Sequence, residues 1–394
     1  MTATAGEPLI GVINAGSSSL KFSIYEGERR LLAGQVDGLG ARPTASATGP
    51  DGEAIPPPDL GAAPPSTPSE VLPAVLPWTR ERLGARRLAA LGHRVVHGGL
   101  HHSRPARVTS ELLAELEALV PLAPLHEPHN LVPIKMAMTL NPDLPQLACF
   151  DTAFHRTAPE VEQAFALPYA FYDEGVRRYG FHGLSYEYIA SVLPQHAPEI
   201  AEGRVVVLHL GNGCSACALK AGASIATTMG FTALDGLPMG TRCGALDAGV
   251  VLHLIQTKGM AAEALVDLLY RRSGMLGLSG VSSDFRELLA SAAPRARFAI
   301  DVFCYCTARW IGSLAAALGG LDGVVFTAGV GENAAPIRSA ICRACGWLGL
   351  ELDEAANSEH RTRISTPKSR VAAYVIKTDE NLMIARHARA LVGS

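Results

Sequence analysis

The chain has 394 residues, 48% of them apolar, and a formal net charge of only −3 at pH 7. This length predicts two domains, or at most three, each with a sizeable core. No basic block or basic and aromatic stripe interrupts the near-neutral charge, so nucleic acid is not an expected partner. A small acidic substrate is compatible with this charge, because a local positive pocket does not require a positive protein.

The ends and the apolar runs of the chain give no membrane signal. The start, Met1 to Leu9, lacks a basic region followed by an apolar stretch, so it does not read as a secretory signal. The apolar run from Trp310 to Leu321 is too short to span a bilayer. We therefore expect a cytoplasmic protein without a membrane partner.

The eight cysteines are expected to be free thiols, because a long chain without a signal seldom carries a disulfide framework. Two C-x-x-C pairs, Cys214 with Cys217 and Cys342 with Cys345, could in principle supply four thiolates to zinc. The pairs lie far apart in sequence and each falls inside another pattern. We interpret them as small buried side chains.

The first elements predict a strand, a polar turn and a second strand. The apolar run from Leu9 to Ile13 leads into Asn14-Ala15-Gly16-Ser17-Ser18-Ser19, and the alternating run from Leu20 to Tyr25 follows. A similar pattern returns from Val205 to Lys220, with Gly213 standing 197 residues after Gly16. This repeat predicts two related α/β domains, each of which opens with a polar-tipped hairpin.

Between Ala41 and Pro77 the composition shifts to Pro, Ala, Gly, Ser and Thr. Proline removes a backbone donor and fixes φ, so long helices and central strands are not expected in this segment. We interpret it as a surface excursion within the first domain, with a true linker as the alternative.

The clearest helices follow capping residues. Thr109-Ser110 precedes an apolar stripe that Pro121 stops, Ser283-Asp284 precedes Phe285 to Ser291, and Thr378-Asp379-Glu380 opens a final helix through Leu391. The run from Leu321 to Ala328 predicts a buried strand, and a helix from Ala334 to Cys345 follows. Strands that alternate with helices indicate an α/β architecture.

Three segments have the composition that phosphate binding requires. They are Asn14 to Ser19, Gly211 to Ser215 and Gly329 to Asn333, and each follows an apolar strand. Glycines let backbone N–H groups approach an anion, and hydroxyls and amides add donors. We read all three as loops, with a helix N-terminus after Gly331 adding its dipole. None has the Walker pattern, yet together they favour a nucleotide ligand.

Several charged residues stand in apolar or glycine-rich surroundings. Arg94 and Arg242 each offer a planar fork to carboxylate or phosphate oxygens, although a structural ion pair is an equal alternative. Asp151 ends an apolar strand, where open α/β sheets bind ligands, and its alternative role is a cap. His182 lies between aromatic residues and glycines, an arrangement more typical of a partly buried histidine than of a catalyst. Glu380 is equally typical of a first helical turn.

Taken together, the motifs resemble the acetate kinase family along nearly the whole chain. The motifs that carry the resemblance are Asn14 to Phe22, His93 to Gly99, Pro124-Leu125-His126, Phe150 to His155, Gly180 to Gly183, His209 to Gly213, Met239 to Arg242, Gly329 to Asn333 and Thr378 to Arg386. Their order and spacing make the resemblance far more specific than any one glycine-rich segment.

The resemblance implies an α/β fold of two actin- and sugar-kinase-like (ribonuclease-H-like) domains with an interdomain cleft. It implies a first domain of residues 1–150 plus 381–394 and a second, nucleotide-binding domain of residues 151–380. The implied reaction is the reversible, Mg²⁺-dependent transfer of a phosphoryl group from ATP to acetate, giving acetyl phosphate and ADP, with Mn²⁺ as a possible substitute metal. The family works as a homodimer.

Residue roles are implied position by position. The implied catalytic residues are Asp151, His182 and Arg242, and the implied metal ligands are Asn14 and Glu380. The implied substrate-binding residues are Arg94, Val96, Leu125, Phe181 and Ala233. The implied nucleotide-binding residues are Lys21, His209, Leu210, Gly211, Asn212, Gly213, Asp284, Phe285, Arg286, Gly329, Val330, Gly331, Glu332 and Asn333.

Some positions depart from the family pattern. Ala233 replaces a proline that lines the acyl pocket, which predicts a roomier pocket that admits propionate as well as acetate. Glu127 and His129 replace Asn and Ala, and Leu184 and Tyr186 replace Thr and His, so these positions affect fine substrate or metal geometry.

The readings that compete with an acetate kinase are distinct in kind. The nearest is a propionate or other short-chain acyl kinase on the same fold. A non-enzymatic ATP-driven switch and a zinc-bearing binding protein are the others.

Overall fold

The computed structural model describes all residues except 1–6, 17, 18, 41, 62, 125 and 394. The strands in chain order are β1 (Leu9–Ala15), β2 (Ser19–Glu26), β3 (Arg29–Asp37), β4 (Thr44–Thr48), β5 (Leu88–Val95), β6 (Ala106–Arg107), β7 (Gln146–Phe150), β8 (Arg204–Leu210), β9 (Cys214–Lys220), β10 (Ala223–Thr227), β11 (Gly323–Thr327) and β12 (Ala372–Val375).

The α-helices in chain order are α1 (Pro68–Leu83), α2 (Ser110–Ala118), α3 (Glu127–Leu140), α4 (Glu160–Gln163), α5 (Tyr169–Asp173), α6 (Gly183–His196), α7 (Pro198–Ala201), α8 (Ala248–Gln256), α9 (Ala262–Arg271), α10 (Gly274–Ser279), α11 (Phe285–Ala290), α12 (Pro294–Leu318), α13 (Ala328–Asn333), α14 (Ala335–Ala344), α15 (Glu354–Ser358) and α16 (Glu380–Val392). Short 3₁₀ helices span Val120–Leu122, Ala153–Thr157 and Gly346–Leu348.

The chain divides into two compact units. Unit 1 comprises Met1–Phe154 and Asp379–Ser394, and unit 2 comprises His155–Thr378. Asp151 and Glu380, which the predicted boundaries assign to the second domain, therefore lie in unit 1. Asp151 follows β7 directly and its backbone N–H donates to the Val95 carbonyl 3.0 Å away, which ties it to the sheet of unit 1.

The sheet of unit 1 has the strand order β4-β3-β2-β1-β5-β7-β6. The hairpin strands β1, β2, β3 and β4 pair antiparallel, whereas β1, β5 and β7 run parallel to one another. One cluster of buried side chains joins β1, β2 and β3 to α1, and another joins β5 and β7 to α2 and α3. The final helix α16 packs on β1, β2, β5 and β7, as the resemblance implies.

The sheet of unit 2 has the order β10-β9-β8-β11-β12. Its hairpin strands β8, β9 and β10 are antiparallel, and β8, β11 and β12 are parallel. Unit 1 thus repeats this order in β3-β2-β1-β5-β7, which confirms the prediction of α/β architecture built around two similar hairpins. The long helix α12 begins with Pro294 and ends at Leu318, and the following Gly319, with a φ of 70°, provides the left-handed cap.

The Pro-rich segment behaves differently from the prediction. The expectation of no long helix between Ala41 and Pro77 is wrong, because α1 begins at Pro68 and contains Pro73 and Pro77. Pro68 occupies the first turn, where its missing donor costs little. Helix packing offsets the two interior prolines, since Val71, Leu72, Val75 and Trp78 are buried against the sheet.

The third predicted phosphate loop is also corrected. Gly329 to Asn333 does not form a loop, because helix α13 begins immediately after β11. The Glu332 carboxylate accepts a hydrogen bond from the Ala328 N–H at 2.9 Å, and Asn333 Nδ2 donates to the Gly329 carbonyl at 2.9 Å. These bonds join side chains of α13 to its own first turn, in a segment that was predicted to be a loop. Across the described ranges, none of the helices combines the length and apolar character of a membrane span.

Candidate active site

Arg94 and Asp151 form an ion pair at the carboxyl ends of two parallel strands. Arg94 is the penultimate residue of β5, and Asp151 follows β7. Arg94 Nε lies 3.2 Å from Oδ1 and 3.0 Å from Oδ2 of Asp151, and Nη2 donates to Oδ2 as well. The Asp151 side chain is 1% exposed and that of Arg94 is 15% exposed. The guanidinium therefore has a fixed orientation but keeps some access to a ligand.

The charge around Arg94 is strongly negative. Burial lowers the pKa of Arg94, but the carboxylates of Asp151 and Glu380 together outweigh it, so the pKa lies above its ordinary value. Arg94 therefore remains a cation under all ordinary conditions. A buried cation that is held by a carboxylate can still attract a further carboxylate or a phosphate oxygen.

The predicted metal ligands also meet in unit 1. Asn14 lies near the end of β1, and Glu380 is the first residue of α16, where Asp379 caps the helix by accepting from the Leu382 N–H. Asn14 Nδ2 donates to Glu380 Oε2 at 3.2 Å. Lys21 pairs with Asn14 across the β1–β2 hairpin, and its side chain is exposed. The structure thus brings three predicted ligand-binding residues together.

These residues fit Mg²⁺ better than a metal that needs an all-protein cage. An amide carbonyl and a carboxylate are hard oxygen donors, and Mg²⁺ typically takes one or two protein carboxylates, with phosphate oxygens and water for the rest. Among the described residues, no group of three or more His, Cys, Asp or Glu side chains is placed to hold a metal. We therefore expect Asn14 and Glu380 to bind the ion only when the nucleotide phosphates supply further oxygen ligands.

In unit 2, His182 is held on two sides. Its backbone has a φ of 59°, a left-handed conformation that is uncommon outside glycine and often marks a functional site. His182 Nδ1 lies 2.8 Å from Ser215 Oγ, and its ring stacks on that of His209 with centroids 4.2 Å apart. His209 Nδ1 in turn lies 2.8 Å from Ser185 Oγ. The imidazole of His182 consequently has little freedom to rotate.

Arg242 and His182 both approach Gly213. A Cβ atom added to Gly213 would lie 2.9 Å from Arg242 Nη2 and 3.2 Å from His182 Nε2. Arg242 Nη1 donates to the Ala233 carbonyl at 2.6 Å, which anchors the guanidinium from its other side. A guanidinium and an imidazole thus face the same glycine, and only a residue without a side chain leaves this space open.

The nucleotide-binding segments of the prediction cluster at the ends of β8 and β11. The two strands are parallel and pair Thr327 with His209, so Leu210 to Gly213 and helix α13 start from the same edge of the sheet. A Cβ on Gly211 would lie 3.8 Å from the Ala328 Cβ, and one on Gly331 would lie 3.7 Å from the Leu210 Cβ. Val330 and Glu332 lie within the same helical turn.

The segment from Asp284 to Arg286 has a clear structural role. Asp284 caps α11 by accepting from the Arg286 N–H at 2.8 Å, and its carboxylate also binds Arg286 Nε. Phe285 is buried against Phe303, with ring centroids 4.7 Å apart. The link to the other segments runs through Gly240, whose N–H donates to the Asn212 carbonyl and whose added Cβ would lie 3.4 Å from the Ser283 carbonyl.

The residues predicted to line the acyl pocket occupy different parts of the chain. Val96, in unit 1, is buried, and Phe181 and Ala233 belong to unit 2. The Phe181 carbonyl accepts from His155 Nε2 at 2.9 Å, which holds the turn that leads to His182. Leu125 lies outside the described residues.

Sequence reasoning missed Asn130, a buried polar residue that holds the unit 1 site, and singled out Glu127 only as a departure from the family pattern. Asn130 Oδ1 accepts from the Val96 N–H at 2.9 Å, and its Nδ2 donates to the Ala15 carbonyl. Asn130 therefore ties the segment after Arg94 to the end of β1, next to Asn14. Glu127, one turn earlier on α3, accepts from the His97 N–H at 3.2 Å. The sequence signal was an acid and an amide three residues apart in the first turn of a helix whose other buried residues are apolar.

A second missed residue, Arg338, supports the nucleotide segment of unit 2. Its side chain is fully buried, and Nη1 donates to the carbonyls of Gly331 and Glu332, each at 2.9 Å. Nε donates to Asn357 Oδ1 at 2.8 Å. Arg338 stands between apolar positions of α14, so a charged residue at the edge of a buried stripe was the available signal.

The eight cysteines are free thiols. Burial raises the pKa of Cys214 and of Cys217 to about 12 each, and Cys345 behaves in the same way. Cys214 Sγ lies 3.1 Å from the Gly211 carbonyl, and Cys217 Sγ lies 3.3 Å from Ser224 Oγ. These side chains pack inside unit 2 as small thiols, in agreement with the interpretation of the two C-x-x-C pairs.

Comparison with known proteins matches nearly the whole chain to one family. The model of the Acetokinase family matches residues 9–386. An acetate kinase from Nitrobacter hamburgensis is 54% identical over 390 residues, which cover 97% of this chain and 95% of that protein. The crystal structure of Porphyromonas gingivalis acetate kinase has a TM-score of 0.86 at 35% identity and covers 98% of this chain and 100% of that chain. The structure of a propionate kinase from Francisella tularensis has a TM-score of 0.89 at 33% identity, covering 97% and 99% of the two chains.

Proposed function

Because the chain belongs to the acetokinase family, we propose that it catalyses the reversible transfer of the γ-phosphoryl group of ATP to acetate, giving acetyl phosphate and ADP. The observation that carries this proposal is the buried Arg94–Asp151 pair, which presents a fixed guanidinium in unit 1. A guanidinium binds a carboxylate with two parallel hydrogen bonds. Arg94 is thus suited to orient a small carboxylic acid.

The reaction needs little acid or base chemistry from the protein. Acetate is fully ionised near neutral pH, so its oxygen is already a nucleophile and a strong general base is unnecessary. Asp151 is bonded to Arg94 on both carboxylate oxygens, which suits an orienting role rather than proton transfer. Catalysis then depends on alignment of the acid with the phosphorus atom and on stabilisation of charge.

Arg242 and His182 are proposed to supply that stabilisation. Phosphoryl transfer spreads negative charge over the equatorial oxygens of the moving group, and fixed cations lower its energy. The approach of Arg242 Nη2 and His182 Nε2 to the same Gly213 supports this assignment. Transfer is proposed to be direct and in line, because the Asp151 carboxylate, which could otherwise act as a nucleophile, is bonded to Arg94 through both of its oxygens.

Mg²⁺ is proposed as the metal, held by Asn14 and Glu380. When bound, the ion would neutralise charge on the nucleotide phosphates. The Asn14–Glu380 contact supports this, because it places an amide and a carboxylate in one small site, where each side chain would supply one oxygen donor. Lys21, opposite Asn14 on the hairpin, is proposed to contact a phosphate as a flexible point charge.

Propionate is the second proposed acceptor. Ala233 replaces the proline usual in the family, and the chain is similar in fold to a propionate kinase. The Ala233 carbonyl accepts a hydrogen bond from Arg242, so the backbone at this position contacts the proposed charge-stabilising guanidinium. Acetate and propionate differ by one methylene group, so a roomier pocket is expected to reduce the preference for acetate over propionate rather than to reverse it completely.

We further propose a cytoplasmic homodimer. ATP is a cytoplasmic substrate, and the family resemblance implies two subunits. Unit 2 offers an apolar surface on α8, where Val250, Leu252 and Ile255 are 40%, 53% and 44% exposed. Such a patch favours association with a second copy. Light scattering of the purified protein would give a mass of two chains, and a single-chain mass would contradict this part of the proposal.

The proposed activity is tested by trapping the product. The protein is incubated with ATP, Mg²⁺ and acetate in the presence of hydroxylamine, which converts an acyl phosphate into a stable hydroxamate. Hydroxamate is expected only when all components are present, and acetate should raise ADP release in parallel. ADP release without hydroxamate, at a rate that does not depend on the acid, would instead indicate an ATP-driven switch.

A further inference from the structure

Glu127 is a buried carboxyl that the proposed mechanism leaves unused. It is the first residue of α3, and its side chain is fully buried. Oε2 accepts from the His97 N–H at 3.2 Å, whereas Oε1 has no hydrogen-bond partner in the described part of the chain. An ionised carboxylate with one unsatisfied oxygen in a buried site is costly, so the neutral acid is favoured there.

The side chain stands against the segment that carries the proposed acid-binding residue. Glu127 and Asn130, one turn apart on α3, accept from the N–H groups of His97 and Val96. Val96 and His97 follow Arg94 closely, since only Val95, the last residue of β5, lies between. The position of Arg94 is therefore coupled to the hydrogen bonds made by the first turn of α3.

Two charges act on Glu127 from neighbouring elements. Arg94 on β5 attracts its ionised form, and Asp151 after β7 repels it. The strand β1, which also packs on α3, carries no ionisable side chain, and Glu117 of α2 pairs with Lys135 of α3. The ionisable residues of α1, the remaining helix against α3, are Glu70, Arg80, Glu81 and Arg82.

Burial is the largest influence on this carboxyl. It raises the pKa of Glu127 to about 8, although the His97 N–H and Arg94 act in the opposite direction. An ordinary glutamate would be ionised throughout the neutral range. The Glu127 charge instead appears only as the pH becomes alkaline.

The inference rests on the proposed function and concerns the control of substrate binding. We propose that Glu127 is a positioning residue that is held as a neutral acid at neutral pH, and that the loss of its proton weakens binding of the carboxylate substrate at Arg94. Glu127 stands where the family pattern usually has an asparagine.

The physical reason is a change in net charge around Arg94. With Glu127 neutral, Arg94 is balanced by Asp151 and influenced by Glu380. With Glu127 ionised, a third carboxylate competes for the same guanidinium, and the substrate is a fourth. The ionised Glu127 also binds the His97 N–H more strongly, which pulls on the segment after Arg94. Both effects weaken binding of the acid and leave the proposed charge-stabilising groups of unit 2 unchanged.

The test is the pH dependence of KM for acetate in the full-length protein with ATP and Mg²⁺. In the wild-type protein, KM is expected to rise at least about fivefold between about pH 6.5 and about pH 9.5, with kcat changing less than about twofold. Glu127→Gln keeps the size and the acceptor oxygen but cannot ionise, so its KM should stay nearly constant over the same range. Glu117→Gln, which removes an exposed carboxylate of α2, is the matched control and should retain the wild-type rise.

A second measurement needs no variant. Calorimetric titration of wild-type protein with acetate at about pH 8, in buffers of different ionisation enthalpy, should reveal proton uptake on binding. Binding without proton uptake, or an equal rise of KM in wild-type and Glu127→Gln protein, would overturn the inference. Absence of hydroxamate at every pH would instead refute the proposed function, so the two failures are distinguishable.

Discussion

Arg94 Nε lies 3.2 Å and 3.0 Å from the two carboxylate oxygens of Asp151, at the ends of neighbouring parallel strands. The structural ion pair that was the alternative for Arg94 is therefore present, with Asp151 as its partner, and the ligand-binding role of both residues stays a proposal. A pair of this kind orients its guanidinium at the cost of burying charge. That cost is typical of a site kept for function.

Asp151→Asn tests whether the negative charge of Asp151 is needed to orient the Arg94 guanidinium. The amide keeps the shape of the side chain but no longer holds Arg94 by charge, so Arg94 loses its orientation. We expect kcat/KM for acetate to fall by at least about a hundredfold, with normal circular dichroism. Asp322→Asn is the matched control, since Asp322 binds Arg204 in a similar fork that is far more exposed. A kcat/KM for Asp151→Asn close to that of the control would contradict the assigned role.

Arg242→Ala should leave folding intact but reduce turnover by at least about a hundredfold, because it removes a cation from the transferring phosphoryl group. The Arg242 side chain donates a hydrogen bond to the backbone carbonyl of Ala233. Arg272→Ala, which removes an exposed arginine paired with Asp267, serves as the control and should turn over normally. Near-normal turnover in Arg242→Ala would refute the role of Arg242 in stabilising charge.

Gly213→Ala tests the approach of Arg242 and His182 to one backbone position. The added methyl group would lie 2.9 Å from Arg242 Nη2 and 3.2 Å from His182 Nε2, so both side chains must shift. We expect kcat to fall by at least about tenfold, since catalytic geometry tolerates little displacement. Gly346→Ala is the control, because a Cβ there meets no atom within 4 Å. Equal kcat values for the two variants would show that this space is not used in catalysis.

Acid preference follows from Ala233. A pocket without the usual proline should accept one more methylene, so kcat/KM for acetate should exceed that for propionate by less than about a hundredfold. Ala233→Pro keeps the carbonyl that binds Arg242 and should increase the preference for acetate. Steady-state kinetics with an acid series measures both. A preference of a hundredfold or more in the wild-type protein would count against the roomier pocket.

The stability of the protein should also carry the signature of Glu127. Burial raises the pKa of this carboxyl from 4.5 to about 8, so the folded state binds its proton more tightly than the unfolded state between those values. Its contribution to the free energy of unfolding is therefore complete below the lower value and is lost as the pH rises through the upper one. Relative to Glu127→Gln, the wild-type protein should lose on the order of 4 kcal/mol between about pH 5 and about pH 8.5. Urea unfolding of both proteins at the two pH values measures this. An equal change in the free energy of unfolding of the two proteins would contradict it.

Local patterns predicted the elements well where a cap and a period agreed. Thr109 accepts from the Leu112 N–H and Asp379 from the Leu382 N–H, as the helix signals indicated. The hairpins around Gly16 and Gly213 were predicted because alternation and a polar turn specify them together. The helix α1 was missed because tertiary packing of Trp78 and its neighbours overrides the local effect of proline.

The site residues were harder to predict from physics alone. Composition marked Arg94, Asp151 and His182 as unusual, but only the pairing of distant strands shows that Arg94 meets Asp151 and that His182 stacks on His209. Buried supports such as Asn130 and Arg338 gave weak signals, since a polar residue on an apolar helix is typical of many structural roles. Long-range contacts of this kind depend on topology, which local sequence does not encode.

The central claim is that the phosphoryl group passes directly from ATP to acetate. The most direct measurement uses ATP made chiral at its γ-phosphorus with oxygen isotopes and determines the configuration of the acetyl phosphate formed. A single in-line transfer predicts inversion at phosphorus. Retention of configuration, which requires two successive transfers through a phosphorylated residue, would contradict the account.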